Sequence, residues 1–190
     1  MRALRFGAAF AVVIGAMSVQ TADAQPGGGG GGFRLAPLLM ASTAFDDGGV
    51  VPPMYSFRGG NVQPGFTFSN APPETVSYAI IFHDIDVALG GTTNDVLHWI
   101  VWNIPASAGG IPEGRLPEGA VQGKNMAQQN SYFGPGAPPG PRYHHYVFEL
   151  FALNANLELP ETAGRDELVA AMNGKIIAKA AYVGRFKGSE

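Results

Sequence analysis

The fold is decided by two largely apolar stretches, SYAIIFH at residues 77–83 and HWIVWNI at residues 98–104. Each is short and rich in β-branched and aromatic side chains, which is typical of β-strands. Their apolar residues occupy successive positions instead of alternate ones, so both faces of each strand are expected to be covered. Strands of this kind indicate the middle of a layered β protein, such as a sandwich.

Further β-prone runs, separated by Gly and Pro, extend this pattern along the chain. Only residues 165–172 have a helical pattern, and residues 176–180 are expected to form a second short turn or helix. The sequence therefore predicts a mainly β sandwich with small helices near its C-terminus. The additional predicted strands are 33–39, 65–69, 145–153 and 182–186.

The N-terminus has the three-part layout of a secretory signal peptide. Arginines precede an apolar run over residues 6–19, and Ala22-Asp23-Ala24 has the small-x-small pattern of a cleavage site. The apolar run is shorter than the roughly 20 residues that a membrane span requires. The sequence predicts cleavage between Ala24 and Gln25, no stable membrane anchor, and a periplasmic or secreted protein.

Composition narrows the remaining possibilities. The chain has no cysteine, which rules out disulfides, iron–sulfur clusters and thiolate zinc sites, and no basic cluster of the kind that binds nucleic acid. The predicted organisation is a signal peptide over 1–24, a flexible Gly-rich linker over 25–32 and a single domain over 33–190.

Acidic and imidazole side chains gather where predicted strands begin or end. Asp84 and Asp86 follow the first apolar strand, His98 begins the second, and His144 follows the rigid Gly- and Pro-rich loop 132–140. Extended backbone would place both aspartates on one side, where they repel unless a cation or hydrogen-bond donor lies between them. Each feature alone also fits a solvated turn, a capping histidine or an ordinary loop.

Together these segments resemble the two signatures of the phosphatidylethanolamine-binding protein family, in the branch of the bacterial Raf kinase inhibitor-like proteins. The resemblance runs from about residue 38 to residue 186. The first signature is similar to SYAIIFHDID at 77–86 and HWIVWNIP at 98–105. The second is similar to YFGP at 132–135, PPG at 138–140 and HHYVF at 144–148. The flanking segments are AFDDG at 44–48, like the family's opening, and GKIIAKA at 174–180, like its C-terminal helix.

The resemblance implies an antiparallel β-sandwich of Greek-key type with a small anion pocket at one end. This pocket would take a phosphate, phosphoethanolamine or carboxylate group, and bacterial relatives imply a homodimer. No cofactor is expected, and no metal is expected because no single element has a recognisable metal-ligand spacing. Imidazole N–H groups and loop amides would donate to the anion, and basic side chains are expected to be scarce there. The residues carried over are Asp84, Asp86, His98, Tyr132, Gly134, Pro138 and His144.

The sequence departs from the family pattern at the proposed pocket, and three other functions are alternatives to anion binding. DIDVA at residues 84–88 lacks the two prolines of the family pattern, and His145 stands where the family usually has Arg. With no cysteine and no serine in a Gly-x-Ser-x-Gly elbow, binding without turnover is the favoured function. An acid–base enzyme using the same pocket, a protease inhibitor and a His/Asp metal site are the alternatives.

Overall fold

The computed structural model describes residues 37–189. The predicted signal peptide, the Gly-rich linker and the start of the predicted strand 33–39 lie outside these residues. Within the described part, the chain forms nine strands and one α-helix. In chain order they are β1 (Leu39–Ala41), β2 (Gly49–Val50), β3 (Phe66–Ser69), β4 (Ser77–Asp84), β5 (Val96–Pro105), β6 (Gly110–Ile111), β7 (Val121–Gln122), β8 (His144–Leu153), α1 (Arg165–Met172) and β9 (Ile176–Phe186).

The strands form two sheets. The larger has the order β2-β9-β8-β4-β5-β7 and the smaller has the order β1-β3-β6. Neighbouring strands are antiparallel except β2 and β9, which run parallel. The main core lies between the sheets, where Phe66 and Phe68 of the small sheet pack with residues such as Phe82 and Phe148 of the large one. The predicted mainly β sandwich is confirmed.

Strand β4 is covered on both of its faces, which explains why apolar residues occupy successive positions in its sequence. All eight of its residues are buried. Ile80 and Phe82 belong to the main core, whereas Ala79 and Ile81 belong to a second cluster that Leu168 of α1 covers from the other side of the sheet. Removing apolar surface on both faces from water contributes about 25 cal/mol per Å². The predicted covering of both faces is therefore confirmed.

The helix expected over residues 176–180 is wrong. These residues begin β9, which pairs with β8 from Ile176 opposite Leu153 to Phe186 opposite His144. Ala and Lys in this stretch are compatible with a helix or a strand. The stretch forms a strand because it pairs with β8 along the full length of β8. Helix α1 ends before Gly174, whose positive φ of 75° turns the chain into β9.

Among residues 37–189, no helix is both long enough and apolar enough to cross a membrane.

Candidate functional site

Three strand ends meet at one end of the large sheet. The last residue of β4, Asp84, pairs with Val96 at the start of β5 and with Tyr146 near the start of β8. This register brings Asp84 close to His98 and His144, which are distant in sequence. Since antiparallel neighbours start and end at the same sheet edge, the strand-end positions of these residues explain their meeting.

A cavity of about 320 Å³ opens beside these residues. Asp84, His98, His144 and Arg58 supply its ionisable groups, and Tyr146 adds a phenol. The rest of the lining is backbone and apolar side chains. These further lining residues are Phe57, Val87, Val96, Met126, Phe133, Gly136, Ala137 and Pro138.

The carboxylate of Asp84 orients His144. It is only 3% exposed, and its Oδ2 accepts a hydrogen bond from His144 Nδ1 over 2.8 Å. Its Oδ1 accepts the backbone N–H of Asp86 over 2.9 Å. Because Nδ1 of His144 is the donor in this pair, Nε2 is the ring atom available to a ligand.

His98 is held in a neutral form. Its Nδ1–H donates to the carbonyl of Phe133 over 2.7 Å, since a carbonyl oxygen can only accept. Burial lowers the pKa of His98, and this effect outweighs the opposing influence of the Phe133 carbonyl and of the Asp84 charge. At neutral pH, Nε2 of His98 therefore carries a lone pair and acts as an acceptor.

Tyr146 links the acidic side of the cavity to the Gly- and Pro-rich loop. Its hydroxyl accepts the backbone N–H groups of Gly136 and Ala137 over 3.3 and 3.0 Å. Burial raises the pKa of Tyr146, and the nearby charge of Asp84 raises it further. The phenol therefore keeps its proton. Tyr146 was not among the predicted site residues, although its position two residues after His144 on one strand places both side chains on the same face.

Arg58 was also missed. It is an exposed residue that lines the cavity and supplies a fixed positive charge, although basic side chains were predicted to be scarce there. It lies in a turn that follows the short 3₁₀ helix Pro53–Tyr55. No motif marks this position, because its approach to the cavity depends on the long-range packing of that turn.

Asp86 does not line the cavity. Its Oδ2 accepts the backbone N–H and the Nδ1–H of His145 over 2.6 and 2.9 Å, and its Oδ1 accepts Arg142 Nη1 over 2.7 Å. Burial alone would raise the pKa of Asp86, but the bonds from His145 and Arg142 outweigh it and lower the pKa to about 2. The two aspartates thus have separate partners, and Arg142 supplies a fixed charge near His145.

Two other predicted site residues support the cavity from behind. Tyr132 is buried, donates its hydroxyl to the carbonyl of Tyr55 over 3.0 Å and stacks on Phe82. The Gly134 amide donates to Asn61 Oδ1 over 2.7 Å, and a Cβ on Gly134 would come within 2.3 Å of the Tyr55 carbonyl oxygen. Glycine is required by this close backbone approach.

The predicted site residues therefore divide into two groups, and ligand binding by either group stays a prediction. The structure brings together Asp84, His98, Pro138 and His144 around one cavity. Asp86, Tyr132 and Gly134 contact its walls.

His83 faces the other side of the sheet. Its Nδ1 lies 2.5 Å from Asp95 Oδ2, and Arg165 at the start of α1 bonds the other oxygen of that carboxylate. Nε2 of His83 is buried with no hydrogen-bond partner within residues 37–189, and the carboxylate of Glu149 is 3.6 Å away. This group fastens α1 to the large sheet. Across the whole of the described range, residues 37–189, no cluster of three or more metal-ligating side chains occurs.

Fold and site define a β-sandwich with an Asp/His cavity at one end of its large sheet. A family model described as phosphatidylethanolamine-binding protein matches residues 41–187. The chain belongs to the phosphatidylethanolamine-binding protein family.

Relatives from bacteria and archaea agree with this assignment. A UPF0098 protein of Methanothermobacter thermautotrophicus is 35% identical over 155 residues, which cover 79% of this chain and 99% of the relative. LppC of Mycobacterium tuberculosis, which has the word lipoprotein in its name, is 36% identical over 152 residues, covering 80% of this chain and 73% of LppC.

Solved structures show the same fold. Escherichia coli YbcL, described as a member of the mammalian PEBP family, superposes with a TM-score of 0.74 at 28% identity, covering 81% of this chain and 100% of YbcL. A PEBP homologue of Chlamydia trachomatis superposes with a TM-score of 0.73 at 32% identity, covering 80% of this chain and 99% of the homologue.

Proposed function

We propose that this protein is exported and binds a small anion of the phosphate or carboxylate class in the cavity at the end of the large sheet. The observation that carries the proposal is the convergence of Asp84, His98 and His144 with Arg58 around one cavity. The amides of the Gly- and Pro-rich loop that were expected to donate to the anion are already bonded to Asn61 and Tyr146, so the imidazole rings and the Arg58 guanidinium are the groups proposed to contact it.

The charge balance of the cavity determines how an anion would be held. Asp84 is a buried acid, and two like charges about 4 Å apart near a protein surface repel by about 4 kcal/mol. Arg58 supplies a permanent charge that offsets this repulsion, and its planar guanidinium matches carboxylate and phosphate oxygens. Loss of this charge should therefore weaken binding more than loss of an arginine elsewhere.

The protonation of the two histidines also determines how strongly an anion would bind. His98 and His144 each use Nδ1–H for a protein acceptor, so their Nε2 atoms can donate to an anion only when the ring is protonated. Binding should therefore take up a proton, on an imidazole or on the ligand itself. We expect affinity to increase as pH falls through the range in which imidazole titrates.

Isothermal titration calorimetry with phosphate, phosphoethanolamine and acetate tests the proposal. Arg58→Gln should lower the affinity for the anion that binds, whereas Arg115→Gln, the same charge change at another exposed position, should leave it unchanged. Absence of heat with all three anions at pH 6 would refute anion binding. Equal losses in both variants would refute the role of Arg58.

Export rests on the signal-peptide layout of residues 1–24 and on the family relationship to LppC. N-terminal sequencing of the protein recovered from the periplasm or culture medium should begin at Gln25. Protein that stays in the cytoplasm and begins at Met1 would contradict export.

An acid–base enzyme is the second candidate, because the pair of His144 and Asp84 is also the arrangement of an imidazole base oriented by a carboxylate. A screen of phosphate and carboxylate esters would detect it. Turnover that is lost in folded His144→Ala would favour catalysis, and a negative screen with intact anion binding would favour a binding protein.

A further inference from the structure

The cavity is larger than a simple anion requires. Its volume of about 320 Å³ is about ten times the roughly 30 Å³ that one water molecule takes, so the cavity has room for apolar groups beside the anionic one. Its acidic, imidazole and guanidinium side chains are confined to four positions, and most of the other lining side chains are apolar. Ligand pockets commonly combine a few polar groups with such an apolar remainder.

The apolar part is a continuous aromatic wall. Phe57 and Phe133 have ring centroids 4.4 Å apart at an interplanar angle of 32°, and Phe133 in turn lies 5.3 Å from the His98 ring. Phe57 is 48% exposed, and so is Met126, which lines the same cavity. Exposed large apolar side chains grouped around a cavity are typical of a ligand site.

We infer, on the basis of the proposed function, that the ligand is a small aromatic anion, an aryl carboxylate or aryl phosphate. Its ring would lie against Phe57 and Phe133, and its anionic group would reach the Asp84, His98 and His144 end, with Arg58 as the cation. Benzoate and phenyl phosphate have the size that the volume allows.

The wall favours an aromatic ring over a saturated chain of the same size for three physical reasons. Aromatic pairs gain from offset or edge contacts beyond the burial of apolar area. The sulfur of Met126 interacts favourably with ring edges. The guanidinium of Arg58 can contact a ring face as well as an anion.

Matched ligands test this inference by calorimetry or NMR titration at one pH. Benzoate should bind about tenfold more tightly than acetate and at least about threefold more tightly than cyclohexanecarboxylate, its saturated counterpart. Phenyl phosphate should exceed inorganic phosphate in the same way. If acetate and phosphate bind but the aromatic anions bind no more tightly, or if cyclohexanecarboxylate equals benzoate, the inference is wrong while the proposed function stands.

A pair of variants tests whether Phe57 is responsible for the preference for aromatic anions. Phe57→Leu keeps an apolar side chain at this exposed position, so the fold should be retained, and it should lower benzoate affinity at least about threefold more than acetate affinity. Met54→Leu, at a similarly exposed apolar position outside the cavity lining, should change neither. An equal loss of acetate and benzoate affinity in Phe57→Leu would overturn the stacking role, and failure of every anion to bind would overturn the proposed function itself.

Discussion

Replacing Tyr146 with Phe removes one oxygen and no apolar volume, and it tests how the cavity wall is held. Without that oxygen, the amides of Gly136 and Ala137 lose their acceptor, and the Asp84 carboxylate loses a neighbouring phenol. Gly136 is exposed, so water can replace its lost bond. Ala137 is buried, and a buried amide left without a partner costs about 1–3 kcal/mol.

Adding about 1 kcal/mol for the lost neighbour of Asp84 gives a total decrease of about 2–4 kcal/mol in the free energy of unfolding. For a domain of this size, such a decrease lowers Tm by about 5–15 °C. Urea titration followed by the fluorescence of the buried residues Trp99 and Trp102 measures it. Tyr143→Phe, the same change at a partly exposed position, should stay within about 0.5 kcal/mol. A Tyr146→Phe change below that level would refute the bracing role of the hydroxyl.

Three other perturbations have defined outcomes. Because the pKa of His98 is lowered in the folded state, the unfolded chain binds more protons, so the free energy of unfolding should fall as pH drops below about 6.5, and His98→Gln should remove this part of the pH dependence. Ionised Asp86 stabilises the fold, and its contribution should be present above about pH 4 and be lost towards pH 2, where its pKa lies. In Asp86→Asn, the free energy of unfolding should therefore change less with pH between about pH 4 and pH 2. Gly134→Ala should lower stability by about 1–3 kcal/mol because its Cβ would meet the Tyr55 carbonyl, whereas Gly140→Ala, with open space around its Cβ, should have little effect in the same urea titration.

The sequence predicts the sandwich because the decisive information is local. Residues 78–82 are apolar at successive positions, and the structure buries all of them within strand β4. The error at residues 176–180 has a different origin, since nothing within that stretch indicates that β8 will pair along it. Pairing between distant segments is a property of the folded chain, and local preference yields to it.

Some residues of the candidate site could likewise be predicted from the sequence, and others could not. Asp84, His98 and His144 could be singled out because strand ends with polar residues are visible in sequence, and the structure brings them together. Arg58 could not, because a lone arginine in a turn carries no pattern. The sequence was equally silent about the partners of Asp86, since it bonds to His145 and Arg142, which lie far along the chain.

Histidine NMR tests the central claim most directly. In the protein labelled with ¹⁵N at its imidazole rings, addition of phosphate or acetate should shift the Nε2 resonances of His98 and His144 together and saturably. The ring of His145, bonded to Asp86 outside the cavity lining, should change little. Unchanged His98 and His144 resonances at saturating anion, or a response confined to His145, would contradict an anion site at this end of the sandwich.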